Sequence, residues 1–164
     1  MGGSGTGDDF AEAMEDVDRL VEGPSRVRWR RKRVRQHVEE PGVAFEMAEW
    51  GEHQQGRASK TDPLQLRRLE LGDYPPELTL DLHGLIEDEA GRIVAEGLRR
   101  ALKAGMRCVR VVHGRGLRSP DGPVLKKALP GWLARPPHGR KIMAFTTTGQ
   151  HGAGGGATLV LLRP

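Results

Sequence analysis

Hydrophobic and polar positions fall into a legible order mainly in the second half of the chain. Leu78, Leu80 and Leu82 alternate with Thr79, Asp81 and His83, a period of two that predicts a strand stopped by Gly84. Ile86, Ala90, Ile93, Val94, Gly97, Leu98, Ala101 and Leu102 then trace one wide helical face. Glu87, Asp88 and Glu89 lie in the first turn of that helix and Arg99, Arg100 and Lys103 in its last, the polarity its dipole favours. Residues 107–113 read as a second strand, which also ends in His-Gly. A short helix is expected from Pro123 with Leu125 and Leu129. Pro130 should break it and open a further turn bearing Trp132 and Leu133. Residues 141–147 and 157–162 read as two more strands, joined by a glycine-rich turn.

The order strand, helix, strand, helix, strand, strand predicts an α/β fold with a small four-stranded mixed sheet. Helical crossovers make the first three strands parallel, and the short last connection makes the fourth antiparallel. Upstream, Asp62 as cap, Pro63 at the first helical position and Gly72 at the close predict a lead-in helix. Leu64, Leu69 and Leu71 give it an apolar side, Arg67 and Arg68 face out, and Tyr74-Pro75-Pro76 stiffens the entry to the first strand. The chain thus divides into a mostly disordered extension, 1–60, a lead-in helix and linker, 61–76, and an α/β domain, 77–164. Within the extension, Phe10, Met14, Val17 and Val21 suit an acidic helix over 8–22. Residues 26–35 hold seven basic side chains around Trp29. They suit a phosphate-binding arm with a stacking face, on nucleic acid or a ribosome, or equally a solvated charge run neutralised by the acidic helix. Residues 36–60 show no clear period and read as a disordered linker.

Charge sharpens this division. Residues 1–76 carry 12 Lys+Arg against 15 Asp+Glu, whereas residues 77–164 carry 14 against 7. A basic α/β domain suits a polyanionic partner such as DNA or RNA. Cys108 is the only cysteine, which excludes a disulfide framework and a cysteine-rich zinc module, and its apolar surroundings predict burial. No apolar stretch approaches 18 residues and no signal-peptide core is present, so no membrane partner and a cytoplasmic setting are expected.

Parallel strands bring their C-terminal ends to one edge of a sheet, where ligands of such folds bind. That edge should collect His83-Gly84, His113-Gly114-Arg115-Gly116 and the segment 149–156, which contains His151 and Gly154-Gly155-Gly156. Asp81 beside His83 can fix the tautomer of a base, although such a pair before a turn is also compatible with no chemistry. Glycines let backbone N–H groups approach phosphate, and Arg115, Arg118, Lys126 and Lys127 add charge; the plainer reading is that the glycines only turn the chain. Neither loop is a dinucleotide fingerprint. Gly114-x-Gly116 has Ser119 where a third glycine would fall, and the later glycines lead into a strand. No spacing supports a metal site of His83, His113 and His151. His37, His53 and His138 read as surface residues.

Several of these pieces resemble the Smr (small MutS-related) domain family. They are Leu80-Asp81-Leu82-His83-Gly84, Val112-His113-Gly114-Arg115-Gly116, Ser119-x-x-Gly122-Pro123-Val124-Leu125-Lys126, Trp132-Leu133, Ala144-Phe145 and Gly154-Gly155-Gly156-Ala157-Thr158-Leu159-Val160. The lead-in from Leu66 to Leu78 is similar to stand-alone proteobacterial members with an N-terminal extension. The resemblance implies a fold like the C-terminal domain of bacterial translation initiation factor three. It also implies an endonuclease that cuts or nicks RNA or DNA, in some members mRNA at stalled ribosomes. Asp81, His83 and His113 map onto the family's motifs as catalytic residues. Gly114 and Gly116 map onto the His-Gly-x-Gly motif, and with Gly84, Arg115, Arg118, Lys126, Gly154, Gly155 and Gly156, chosen for their own chemistry, they are the expected substrate contacts. On that scheme Asp81 orients His83 as general base, and His113 protonates the leaving oxygen or stabilises charge. No cofactor is expected and metal dependence is open. Thr147-Thr148-Gly149-Gln150-His151 departs from the Ala-Gln the family often has there. A binding module without catalysis is the competing class.

Overall fold

In the computed structural model the structure is described for residues 42–149 and 155–164. The expected acidic helix and basic arm lie outside these residues, as do His37, His151 and Gly154. The elements, in order, are β1 (Phe45–Trp50), β2 (His53–Ala58), α1 (Pro63–Glu70), β3 (Leu78–Asp81) and α2 (Glu87–Lys103). They continue with β4 (Cys108–Val112), α3 (Val124–Ala134), a 3-10 turn (Gly139–Lys141), β5 (Ile142–Thr147) and β6 (Ala157–Leu162).

One sheet contains all six strands in the order β1-β2-β5-β6-β4-β3, and only β3 and β4 pair in parallel. The strand directions expected for 77–164 hold: β5 runs with β3 and β4, and β6, inserted between β4 and β5, runs against them. Leu80, Leu82, Val109, Val111, Phe145, Val160 and Leu162 meet Ala90, Val94, Leu98, Leu129, Trp132 and Leu133 of α2 and α3 in the main core. Each fully buried Leu, Val or Phe there contributes about 1.5–3 kcal/mol. Leu69 of α1 joins Cys108, Ala144 and Leu161 in a second apolar cluster. Burial there pushes the Cys108 thiol up to about 11, so it is a packed hydrophobe at neutral pH. Among the described residues no helix is long and apolar enough to cross a membrane.

The structure corrects five expectations. Residues 45–58, inside the supposed disordered linker, form the β1-β2 hairpin and extend the sheet from four strands to six. Trp50 and His53 close it around Gly51-Glu52, with Gly51 at φ +57°, the conformation that favours glycine in the first position of a two-residue hairpin turn. These strands are polar, so little of their stability comes from their own apolar groups. Pairing of Gln55, Gly56 and Arg57 with Thr146, Phe145 and Ala144 holds them, and Phe45 meets Phe145 edge-on at 5.3 Å. In α1 only Leu69 is buried, while Leu64 and Leu71 stay exposed because they lie off the face toward the sheet. In α2 Ile86 and Ile93 are likewise exposed, at the rim of the apolar face. Pro130 does not break α3, since burial of Leu129, Trp132 and Leu133 offsets the single lost N–H. His53 and His138 are buried rather than superficial, and each is hydrogen-bonded: His53 to Thr146 and Gln55, His138 to the Trp132 carbonyl.

Gly56 lies flat against Phe145, and a Cβ there would sit 2.5 Å from two ring atoms. Gly56→Ala should therefore destabilise the fold by about 1–3 kcal/mol through overpacking. Urea unfolding measures it, and an unchanged midpoint would mean that the hairpin does not pack on Phe145.

Candidate active site at the strand ends

The site is built where β3, β4 and β5 end and β6 begins. At the end of β3, Leu80 and Leu82 are buried and hold the strand down, which leaves Asp81 and His83 exposed. Asp81 does not bond the imidazole of His83. Its Oδ1 accepts the backbone N–H of His83 at 3.0 Å and so shapes the turn. Leu82 N–H donates to the Val112 carbonyl at 2.7 Å, tying this turn to the end of β4. Gly84, at φ +78°, then sends the chain into α2.

At the end of β4 the neighbouring histidine has the opposite character. His113 is 6% exposed, and both ring nitrogens are engaged: Nδ1 donates to the Gly114 carbonyl at 2.8 Å, and Nε2 accepts from the Thr158 hydroxyl at 2.9 Å. Burial pushes its pKa below the ordinary 6.5, opposed by the Gly114 carbonyl, and Lys126 pushes it down further. The ring is therefore neutral at pH 7. The N–H groups of His113 and Gly114 both donate to the Gly156 carbonyl, at 3.0 and 2.9 Å. Among the described residues, those of Arg115, Gly116, Leu117 and Arg118 are not taken up by another backbone carbonyl. Gly116 has φ +72°, and a Cβ there would lie 2.5 Å from the Pro123 backbone, so this loop closes on the start of α3 only with glycine.

His83, Gly84, His113, the loop from Gly114 to Ser119 and the entry to α3 line an open groove of 740 Å³. Arg115 and Arg118 supply its positive charge, and Glu87 is the one carboxylate among the lining residues. The groove thus brings together His83, Gly84, His113, Gly114, Arg115, Gly116 and Arg118, as the sequence suggests. It does not include Asp81, Lys126, Gly155 or Gly156 among its lining. Gly155 is buried with its Cα hydrogens toward Glu52, where a Cβ would meet Oε2 at 2.9 Å. Gly156 lies against Gly114 and Arg115.

Sequence reasoning missed Glu52. From the hairpin tip its carboxylate takes the Arg115 guanidinium as a fork, with Nη2 at 2.8 and 3.0 Å and Nε at 3.2 Å. Its backbone carbonyl accepts the Nζ of buried Lys126. Burial lowers the Lys126 pKa below its ordinary 10.5, while Glu52 and Glu49 pull it back up and Arg115 lowers it. Lys126 therefore fastens α3 to the hairpin instead of reaching into the groove. The only signal in the chain was the Trp-Gly-Glu-His turn. Among the described residues no group of three or more His, Cys, Asp or Glu side chains is disposed to hold a metal ion.

The Smr domain profile matches residues 80–163, half of the chain, and spans both histidine loops. The chain belongs to the Smr domain family. It is 38% identical over 101 residues to the ribosome rescue factor SmrB of Shewanella sp. (strain ANA-3), covering 62% of this chain and 53% of the relative. It is 38% identical over 98 residues to the ribosome rescue factor SmrB of Klebsiella pneumoniae, covering 60% and 49%. The Smr chain spans about half the length of these curated relatives. Among solved structures it is similar to YdaL, a stand-alone small MutS-related protein from Escherichia coli. The TM-score is 0.56 at 26% identity, covering 67% of this chain and 82% of that one.

The folded state keeps His113 deprotonated at a pH where the unfolded chain would protonate it. Its contribution to stability is therefore full above about pH 6.5 and is lost as pH falls below that value. Urea midpoints should drop between about pH 7.5 and about pH 5.5. His113→Gln should shrink that drop; an undiminished drop in the variant would assign it to other groups.

Proposed function

We propose that this Smr protein is an endonuclease that cleaves phosphodiester bonds of RNA, with His83 as general base. The observation that carries this reading is the contrast between the two groove histidines: His83 is exposed beside the phosphate loop, while His113 is buried with both nitrogens engaged. A proton acceptor must reach its substrate, and an exposed imidazole suits the task. A phosphate would lie on the N–H groups of the loop after Gly114, with Arg118 at its edge and Arg115 exchanging Glu52 for the phosphate oxygen. His83 then takes the proton of the attacking 2′-hydroxyl or water, and the leaving oxygen is protonated from solvent. Asp81 acts through the turn, by holding the His83 backbone. His113 holds the loop in place and does not move the proton.

Similarity to proteins named ribosome rescue factors supports RNA on a ribosome as the setting. A second reading, a nucleic-acid-binding module without catalysis, draws on the pairing of Arg115 with Glu52, which leaves Arg118 as the groove arginine without an ion pair among the described residues.

The test is single-turnover incubation of the full chain with single-stranded and duplex RNA and DNA, with and without chelator. The parent should cut RNA, and His83→Ala should cut about 10²–10⁴-fold more slowly while binding equally well. Salt-sensitive binding without any product would establish the second reading instead. Glu52→Gln should change stability by less than about 1 kcal/mol, because the pair it breaks is solvent-exposed. It should also tighten RNA binding several-fold in an anisotropy titration by releasing Arg115; equal or weaker binding would show that Glu52 does not compete with phosphate.

A further inference from the structure

The cations of the α/β domain do not gather on the groove alone. At the opposite end of the sheet, where β5 begins and β6 ends, a second cavity of 510 Å³ opens beside the C-terminal half of α2. Arg99 of α2, Lys141 of the 3-10 turn and Arg163 after β6 line it, all three exposed. Leu102, Pro136 and Pro137 give it apolar walls, and no acidic residue is among its lining. Arg163 N–H donates to the Lys141 carbonyl at 2.7 Å, so these two cations project from backbones fixed to each other. Lys103 follows Arg99 by four residues on α2, which places it on the same side of the helix. Among the described residues Glu96 is the one acid in an ion pair here, with Arg99 at the surface. Lys103, Lys141 and Arg163 are in none of the ion pairs of the described residues.

Concentrated positive charge around an apolar hollow matches a ligand that is itself divided, anionic along one edge and flat and apolar on the other. A nucleotide has that form: its phosphates suit the guanidinium and ammonium groups, and its base suits proline and leucine walls. A paired base is stacked within its duplex and cannot enter a hollow, so the strand must be single. We propose that this cavity is a second nucleic-acid site, which takes one unpaired nucleotide of RNA or DNA with its flanking phosphates. It does not depend on whether the groove cleaves, since its occupancy is read by equilibrium binding.

The test titrates the full chain with a labelled oligouridylate of about ten nucleotides and its thymidylate counterpart, by anisotropy over a series of salt concentrations. The triple variant Arg99→Gln, Lys141→Gln, Arg163→Gln removes up to three phosphate contacts. The slope of log affinity against log salt should become shallower by about 2, from about 0.7 for each contact to a single strand. An unchanged slope in a variant that melts at the parent's temperature overturns the site. So does a duplex of the same length that protects Lys141 as well as the single strand does. Should the variant fail to fold, the parent alone decides: bound single-stranded oligonucleotide should slow acylation of Lys141 several-fold relative to Lys60, and an unaltered rate contradicts the proposal.

Discussion

The site depends on one carbonyl. Gly156 accepts the N–H groups of both His113 and Gly114, while Thr158, two residues further, meets the His113 ring. These bonds clamp the loop after β4 to the start of β6, so that neither can move without leaving buried polar groups unpaired. Each such bond adds only about 0.5–1.5 kcal/mol net, but orphaning a buried partner costs about 1–3 kcal/mol. Gly114 and Gly116 are thereby held in left-handed conformations. On the proposed reading, the anion cradle is the consequence of a packing constraint.

Around that clamp the two ends of the groove are set by different forces. On the β3 side, buried Leu80 and Leu82 anchor the strand and the Asp81 carboxylate shapes the turn, which leaves the His83 ring free. On the hairpin side, polar strands gain their place through the β5 ladder and deliver Glu52 to Arg115 and Lys126. The same edge therefore holds an accessible imidazole, a neutral buried imidazole and an arginine occupied by a carboxylate. On the proposed reading, phosphate would compete with that carboxylate for the arginine through the same fork geometry.

Much of this was legible in the chain, and the reasons are local. Leu78, Leu80 and Leu82 alternate because one face is buried, and the His-Gly-Arg-Gly loop stands out because its backbone conformation requires glycine. Those motifs, in order, also carry the resemblance to the Smr family, which the match over residues 80–163 bears out. The hairpin was not legible, because Gln54, Gln55 and Arg57 are satisfied by a strand ninety residues away in sequence and no apolar alternation marks them. For the same reason burial of His53 escaped notice, since its partner Thr146 is set by tertiary contact, whereas His138 bonds the Trp132 carbonyl only six residues back, in a turn after α3 that no apolar period marks. Continuation of α3 through Pro130 was decided by core burial on either side of it, which local propensity does not report.

The most direct measurement follows backbone amide and imidazole resonances of the isotope-labelled chain while an RNA made resistant to cleavage by 2′-O-methyl groups and phosphorothioate linkages is added. If phosphate lies on the loop beside His83, the amides of Arg115, Gly116 and Arg118 and the His83 ring should shift together and saturate at one ligand concentration. Shifts confined to other surfaces, with those four unmoved, would contradict a phosphodiester site in the groove.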